Sequence, residues 1–165
     1  MSKTDYSIPD SHREENEKLV ADGYVQLFEI KLRNGTYLTL KQNNSVTWQG
    51  SNWTGIPLSF EGWETASSDS LSRPTMMIAN PNGSFSTFIR DGLLTKALVT
   101  RYLVLYEDIL NDRNVYQSKT WVVWNNPTLT NMSITLELRN PMDGVNFNVP
   151  ARMYIPPEFP SVQLK

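Results

Sequence analysis

The 165-residue chain contains no cysteine and a single histidine, His12. The first absence removes disulfides, thiol catalysis, iron–sulfur clusters and zinc–thiolate sites together. The second leaves His12 as the one imidazole open to a Ser-His-Asp arrangement, and it stands in a polar segment, away from any expected core strand. Basic charge is not in excess: 15 Lys and Arg against 17 Asp and Glu give a net charge of −2. A surface reader of nucleic acid would usually be basic. There is no run of about 18 apolar residues to span a membrane, and Met1 to Asp5 is followed by no apolar stretch of the kind a signal peptide needs. Synthesis and folding in a cytoplasm are therefore expected. Glycine-rich phosphate loops are missing too, because Asn82-Gly83 alone is a turn.

What is present is period-two alternation. At 39% apolar residues the chain can build one ordinary core. Phe28, Ile30 and Leu32 fall on one face of a strand, and Glu29, Lys31 and Arg33 on the other. Asn34-Gly35 follows, both residues tolerating positive φ, and Leu38 and Leu40 then alternate with Thr39 and Lys41. This predicts a hairpin over 24–33 and 36–42. A shorter hairpin is expected around Gln49-Gly50-Ser51, joining Val46-Thr47-Trp48 to Asn52-Trp53-Thr54. Further strands are expected at 58–64 and at 97–106, the latter apolar on both faces except for Thr100 and Arg101. Lys119 to Trp124 should be a strand. Met132, Ile134, Leu136 and Leu138 alternate with Ser133, Thr135, Glu137 and Arg139, giving a half-buried strand expected to pair with 119–124.

Two helices are expected. Asp10 or Ser11 can cap a charged N-terminal helix, with Glu14 completing a capping box after Ser11. This arm, residues 1–23, reads as a solvated helix or loose tail, or as an arm docked on a neighbouring subunit. Phe85, Phe88 and Ile89 have helical spacing between Ser84 and Gly92. Pro150, Pro156, Pro157 and Pro160 make 150–165 an extended tail. The predicted organisation is an arm at 1–23, a mainly β domain at 24–149 and a proline-rich tail at 150–165.

The chemistry is sparse. Glu61 and Glu64 would point to opposite faces of a strand. Glu107, Asp108 and Asp112 match no EF-hand spacing and read as solvated carboxylates. No catalytic residue, metal site or cofactor is expected. Trp48, Trp53, Trp63, Trp121 and Trp124 suit a β core or a subunit interface. Exposed, they would suit a carbohydrate-binding β-sandwich. The mixed charges of the outward faces fit either plain solvent or the wall of a tube through which DNA slides.

The stretch Leu71-Ser72-Arg73-Pro74, then Thr75 to Ala79, then Asn80-Pro81-Asn82-Gly83, reads physically as loop, strand and turn. It also resembles the signature of the lambda-type phage minor tail protein L family. Trp48-Gln49-Gly50 with Trp53 and Pro57 resembles that family's Trp-Gln-Gly segment. Phe60 to Glu64, Val99-Thr100-Arg101, and Trp121 with the 132–138 strand resemble further segments in the same order. Coverage is roughly 24–145. The family-motif residues are thus Trp48, Gln49, Gly50, Arg73, Pro74, Asn80, Gly83, Thr100 and Arg101.

The resemblance implies a tail-tube-like β-sandwich or barrel with long hairpins. It implies a structural, non-enzymatic virion protein of a long-tailed phage, made in the host cytoplasm and placed in the tail tip or baseplate. There it would form a ring with copies of itself, a hexamer being favoured and a trimer the alternative. The ring would lie between the distal tail protein ring and the tail hub protein, and DNA would pass its lumen without specific binding. No membrane partner is implied. Candidates for the lumen are Glu29, Lys31, Arg33, Asn34, Gly35, Thr39, Lys41, Thr135, Glu137 and Arg139. The family's cysteine-rich, cluster-binding region has no counterpart in the sequence, which lacks cysteine, and the arm 1–23 matches no family segment.

Overall fold

Gly35, at φ 88°, turns the chain between β1 (Tyr24–Lys31) and β2 (Tyr37–Gln42), and Asn34 Oδ1 accepts the Thr36 N–H at 3.0 Å. In this computed structural model the residues described are 8–17, 23–62, 73–130 and 132–141. Phe28 faces Leu40 and Ile30 faces Leu38 across the hairpin, so the alternation of β1 sets the register.

Eight further strands follow: β3 (Val46–Trp48), β4 (Ser51–Ile56), β5 (Leu58–Glu61), β6 (Thr75–Ala79), β7 (Leu98–Leu105), β8 (Gln117–Val123), β9 (Thr128–Leu129) and β10 (Ser133–Arg139). They form one large sheet in the order β3-β4-β2-β1-β7-β8-β10-β6-β5, with β9 beside β10. Among these pairings only β2 with β4 is parallel. β4, next to the end strand β3, and β5 at the other end are far apart in this order, yet only Pro57 separates them in sequence. The sheet must therefore roll back on itself until β5 comes beside the end of β4. At the seam the Pro57 carbonyl accepts the Ala79 N–H at 2.9 Å and the Ile56 carbonyl accepts the Asn43 N–H at 3.3 Å. Pro57 has no N–H to leave unpaired at this bend.

The rolled sheet encloses the main core: Phe28, Ile30, Val99, Trp121, Val123, Met76, Ile78, Ile134, Leu136 and Leu138. Phe60 of β5 bridges it, 5.3 Å from the Phe28 ring and 5.2 Å from Trp121. α2 (Ser86–Arg90) closes one side, where Phe85, Phe88 and Ile89 pack on the core. Its end at Gly92, φ 66°, matches the sequence expectation. A second, smaller core lies on the opposite face of β1 and β7. It joins Leu27, Trp48, Trp53, Val104 and Ile109, with Tyr102 and Tyr116 packed against them.

Several expectations need correction. The N-terminal helix α1 (Asp10–Glu17) starts one residue early: the Pro9 carbonyl accepts the His12 and Arg13 N–H groups at 3.0 and 3.1 Å. His12 is not remote from the sheet but 0% exposed. A third helix, α3 (Tyr106–Leu110), follows β7 where the sequence read a strand end and a carboxylate cluster. The expected pairing of β10 with the 119–124 strand is present, as β10 with β8, over two register pairs. The longer partner of β10 is β6, over five. Met132, which the alternation placed in the core, precedes β10 and is 73% exposed. Trp63, Glu64 and the tail 150–165 lie outside the described residues.

Candidate lining face and the motif residues

Alternation sends Glu29 and Lys31 of β1 to the face opposite the main core, and the register carries that face across four strands. One row reads Thr39, Glu29, Thr100, Thr120, and the next reads Tyr37, Lys31, Leu98, Val122, Arg139. Within the first row the Thr100 and Thr120 hydroxyls lie 3.0 Å apart. On β10, Thr135, Glu137 and Arg139 alternate with the buried Ile134, Leu136 and Leu138. The two polar segments singled out in the sequence thus share one face of one sheet, with β7 and β8 between them. The hairpin tip is anchored separately: the Arg33 N–H donates to the Leu93 carbonyl at 3.1 Å, tying Arg33, Asn34 and Gly35 to the loop after α2.

The charges on this face are muted. Lys31 Nζ sits 5.4 Å over the Tyr37 ring, and the Arg139 guanidinium sits 3.4 Å from the centre of the Trp124 ring. Both cations spend part of their field on aromatic faces. Glu29 is half-buried, and burial raises its carboxyl above the ordinary range. The Tyr102 hydroxyl, which donates to Glu29 Oε1 at 3.5 Å, and Lys31 oppose that shift. Thr39 Oγ1 donates to the Asn52 carbonyl at 2.7 Å, and Lys41 Nζ donates to the Gln42 carbonyl at 3.2 Å. Beyond Glu29 the face is covered, because Leu27 and Tyr102 belong to the second core.

The motif residues hold loops to the sheet. Gln49 and Gly50, at φ 50° and 69°, make the tight turn between β3 and β4. That turn grips the segment after α3: Trp48 Nε1 donates to the Arg113 carbonyl at 3.0 Å, and the Gln49 N–H donates to Asp112 Oδ1 at 2.7 Å. Asn80 is buried and organises the next turn. Its Oδ1 accepts the Phe85 N–H at 3.0 Å, its Nδ2 donates to Ser86 Oγ at 3.0 Å, and its carbonyl accepts the N–H of Gly83, itself at φ 67°. Pro74 is buried and its carbonyl accepts the Leu138 N–H at 2.8 Å. Arg73 is exposed. Arg101, 8% exposed, points inward with its guanidinium 5.8 Å from both the Phe60 and Trp121 rings, and burial lowers its pKa.

The remaining candidates are not brought together. Glu61 ends β5 in solvent, and Glu107 is exposed. Asp108 is buried and faces Arg113 at 3.6 Å, while Asp112 is engaged by Gln49. No group of three or more metal-ligating side chains occurs among the described residues, and none of their helices is long and apolar enough to cross a membrane. A groove of about 640 Å³ between β2, β4 and the Asn80–Phe88 segment is lined by Leu38, Ile56, Phe85 and Phe88, and its walls carry no carboxylate, imidazole or amine. Trp48, Trp53 and Trp121 are buried and Trp124 lies under Arg139, so none of these four offers an open stacking platform for a sugar. Sequence reasoning missed His12, Tyr102 and the role of Asp112, because each acts through partners distant in the chain.

Comparison with known proteins matches these features to one family. No curated protein matches the chain. Among solved structures, a chain described as the virion of a native gene transfer agent particle has the same fold, with a TM-score of 0.58 and 16% identity. The match covers 90% of this chain and 50% of that one, so the protein spans about half the length of its structural neighbour. The family model for phage minor tail protein L matches residues 30–158, which takes in every motif segment described above, and the chain belongs to that family of virion tail proteins.

Proposed function

We propose that this tail protein is a structural, non-enzymatic subunit of a ring in the tail tip. The ring lies between the distal tail ring and the hub, and the polar rows of β2, β1, β7, β8 and β10 face the DNA conduit. The observation that carries this reading is the single continuous face shared by the 24–42 hairpin and β10, reached by register through β7 and β8. Its threonines, and the rings that cover Lys31 and Arg139, suit passage without retention, since uncovered Lys or Arg would bind phosphate and release counterions.

Assembly is supported by exposed apolar side chains at the β10, β6 and β9 end of the sheet. Met77 of β6, Leu129 of β9 and Met132 are 46%, 44% and 73% exposed, Met77 in the row of Thr135 and Leu129 in the row of Ile134, on opposite faces. Adjacent copies would cover such side chains. The sheet ends are short, three residues in β3 and four in β5, which limits edge pairing before assembly. A hexamer is favoured, with a trimer as the alternative.

The test is the particle mass by mass photometry, with and without the matching distal tail protein, followed by negative-stain imaging. Rings, alone or on the partner, support the reading and fix the copy number. A folded monomer under both conditions would overturn it.

A further inference from the structure

We propose that α1 is an acid-releasable clasp: a helix seated on the β domain through the buried side chain of His12, in a slot walled by Tyr24, Asp108 and Gln117. The helix sequence, Asp10-Ser11-His12-Arg13-Glu14-Glu15-Asn16-Glu17, has no aliphatic or aromatic hydrocarbon residue to bury. Eight residues of this kind are marginal as a free helix. His12 supplies the anchor that the hydrophobic effect does not. It is 0% exposed, and its ring meets Tyr24 of β1 edge-on at 5.4 Å. The Tyr24 hydroxyl donates to the His12 carbonyl at 3.4 Å. His12 Nδ1 lies 3.1 Å from Gln117 Nε2 of β8, across 105 residues of sequence.

This seat fits a neutral imidazole. With the Gln117 amide donating to Nδ1, the ring proton belongs on Nε2. That atom is buried and makes no hydrogen bond among the described residues, and the same is true of Asp108 Oδ2. A second proton on Nδ1 would set a donor against the Gln117 amide and place a full charge in a dry site. Among the described side chains, the charged and titratable groups that face it are these. From α3, Asp108 favours the imidazolium, but Asp108 is itself paired with Arg113 at 3.6 Å. From β1 comes the Tyr24 phenol, and Gln117 of β8 is neutral. On α1 itself, Asp10 and Arg13 pair in solvent at 3.8 Å. Burial lowers the His12 pKa and Asp108 partly restores it, the first effect being larger.

The linkage has one sign. Above the ordinary histidine value of about 6.5, the imidazole is neutral in docked and undocked arms alike and docking is at full strength. Below it the undocked arm gains a proton that the docked arm refuses. The docking constant then falls about tenfold per pH unit until the depressed docked value is reached.

The experiment uses the full chain, in which His12 gives the only histidine ring signals. Its ring resonances are followed by NMR from pH 7.5 to 4.5, together with the heteronuclear NOEs of residues 10–17. The expected result is a ring midpoint below that of free histidine and loss of rigidity in 10–17 at the same midpoint, while β1 and β8 stay ordered. Asp108→Asn should move the midpoint further down. The proposal is overturned if the ring titrates like free histidine, if residues 10–17 are as mobile as a peptide at pH 7.5, or if they stay rigid once the ring is charged. The wild-type titration decides the matter even if the Asp108 variant does not fold.

Discussion

Gln49 holds Asp112 at two points across 63 residues of sequence. Its backbone N–H donates to the carboxylate at 2.7 Å, and its side-chain amide donates to the Asp112 carbonyl at 2.6 Å. Asp112 sits at φ 51°, a backbone conformation that a non-glycine residue adopts at a cost. Removing the carboxylate leaves that cost without its compensation. Asp112→Ala should lower stability by about 1–2 kcal/mol, the upper range for a charged hydrogen bond being reduced by exposure. Urea unfolding should show a lower midpoint with an unchanged slope. An unchanged midpoint would mean that the clasp contributes nothing.

Asn80 serves both the Asn-Pro-Asn-Gly turn and the start of α2. Asn80→Ala keeps the backbone bonds to Met132 and Gly83 but strands the Phe85 N–H and Ser86 hydroxyl in a partly buried place. A loss of about 2 kcal/mol is expected, with faster amide exchange confined to residues 85–92. Uniform acceleration across the sheet instead would show that Asn80 supports the whole fold rather than α2.

Gly55 on β4 has no room for a side chain. A Cβ there would collide with the Asn43 carbonyl oxygen and with the Asn44–Ser45 backbone, while the Gly55 N–H is held by Ser45 Oγ at 2.8 Å. Backbone cannot rotate aside as a side chain can, so Gly55→Ala should cost 1–3 kcal/mol or more, on the order of other overpacking changes. A thermal melt indistinguishable from the parent would refute this close approach.

The contrast between β1 and α1 explains what could be read from the sequence. In β1 and the two residues after it, the alternation of Phe28, Ile30 and Leu32 with Glu29, Lys31 and Arg33 is a local pattern, and the register followed from it. Leu27 breaks the pattern, because its partners Trp48, Trp53 and Val104 arrive from three other segments. The Trp-Gln-Gly turn was legible as a turn, but its hold on Asp112 depends on a loop 63 residues away. His12 carried the least local signal of all: a lone imidazole among charges resembles a solvated residue until β1, α3 and β8 close round it. Folds are legible where their causes are periodic, and sites are illegible where they are assembled from distant single residues.

Tyr102 and Glu29 make a pH-sensitive pair between the second core and the polar rows. Burial first, then the charge of Glu29, holds the Tyr102 phenol up to about 12. In the unfolded chain it ionises near 10. The stability it contributes is therefore fully present below about 10 and lost as pH rises toward about 12. Tyr102→Phe should flatten this alkaline decline in thermal melts between pH 9 and 11. The raised carboxyl of Glu29 has the same sign lower down: its contribution is complete below the ordinary carboxylate value and lost as pH rises past the folded one. Glu29→Gln should thus be somewhat more stable than the parent at pH 7, and a less stable variant would show that the carboxylate is needed in its charged form.

The polar rows can be tested against DNA directly. Thr39 and Thr120 occupy opposite ends of one row; Thr120 is exposed and Thr39 half-buried, and lysines there would point from the same face as Lys31. Unlike Lys31 and Arg139, they would have no aromatic ring assigned to cover them. If the face lines the conduit, the doubly substituted Thr39→Lys, Thr120→Lys ring should hold duplex DNA, and phage carrying it should eject more slowly at low salt. Each phosphate engaged would add about 0.9 to the slope of log affinity against log salt, so ejection should recover as ionic strength rises. Normal stability with unchanged ejection at every salt concentration would place this face away from the DNA.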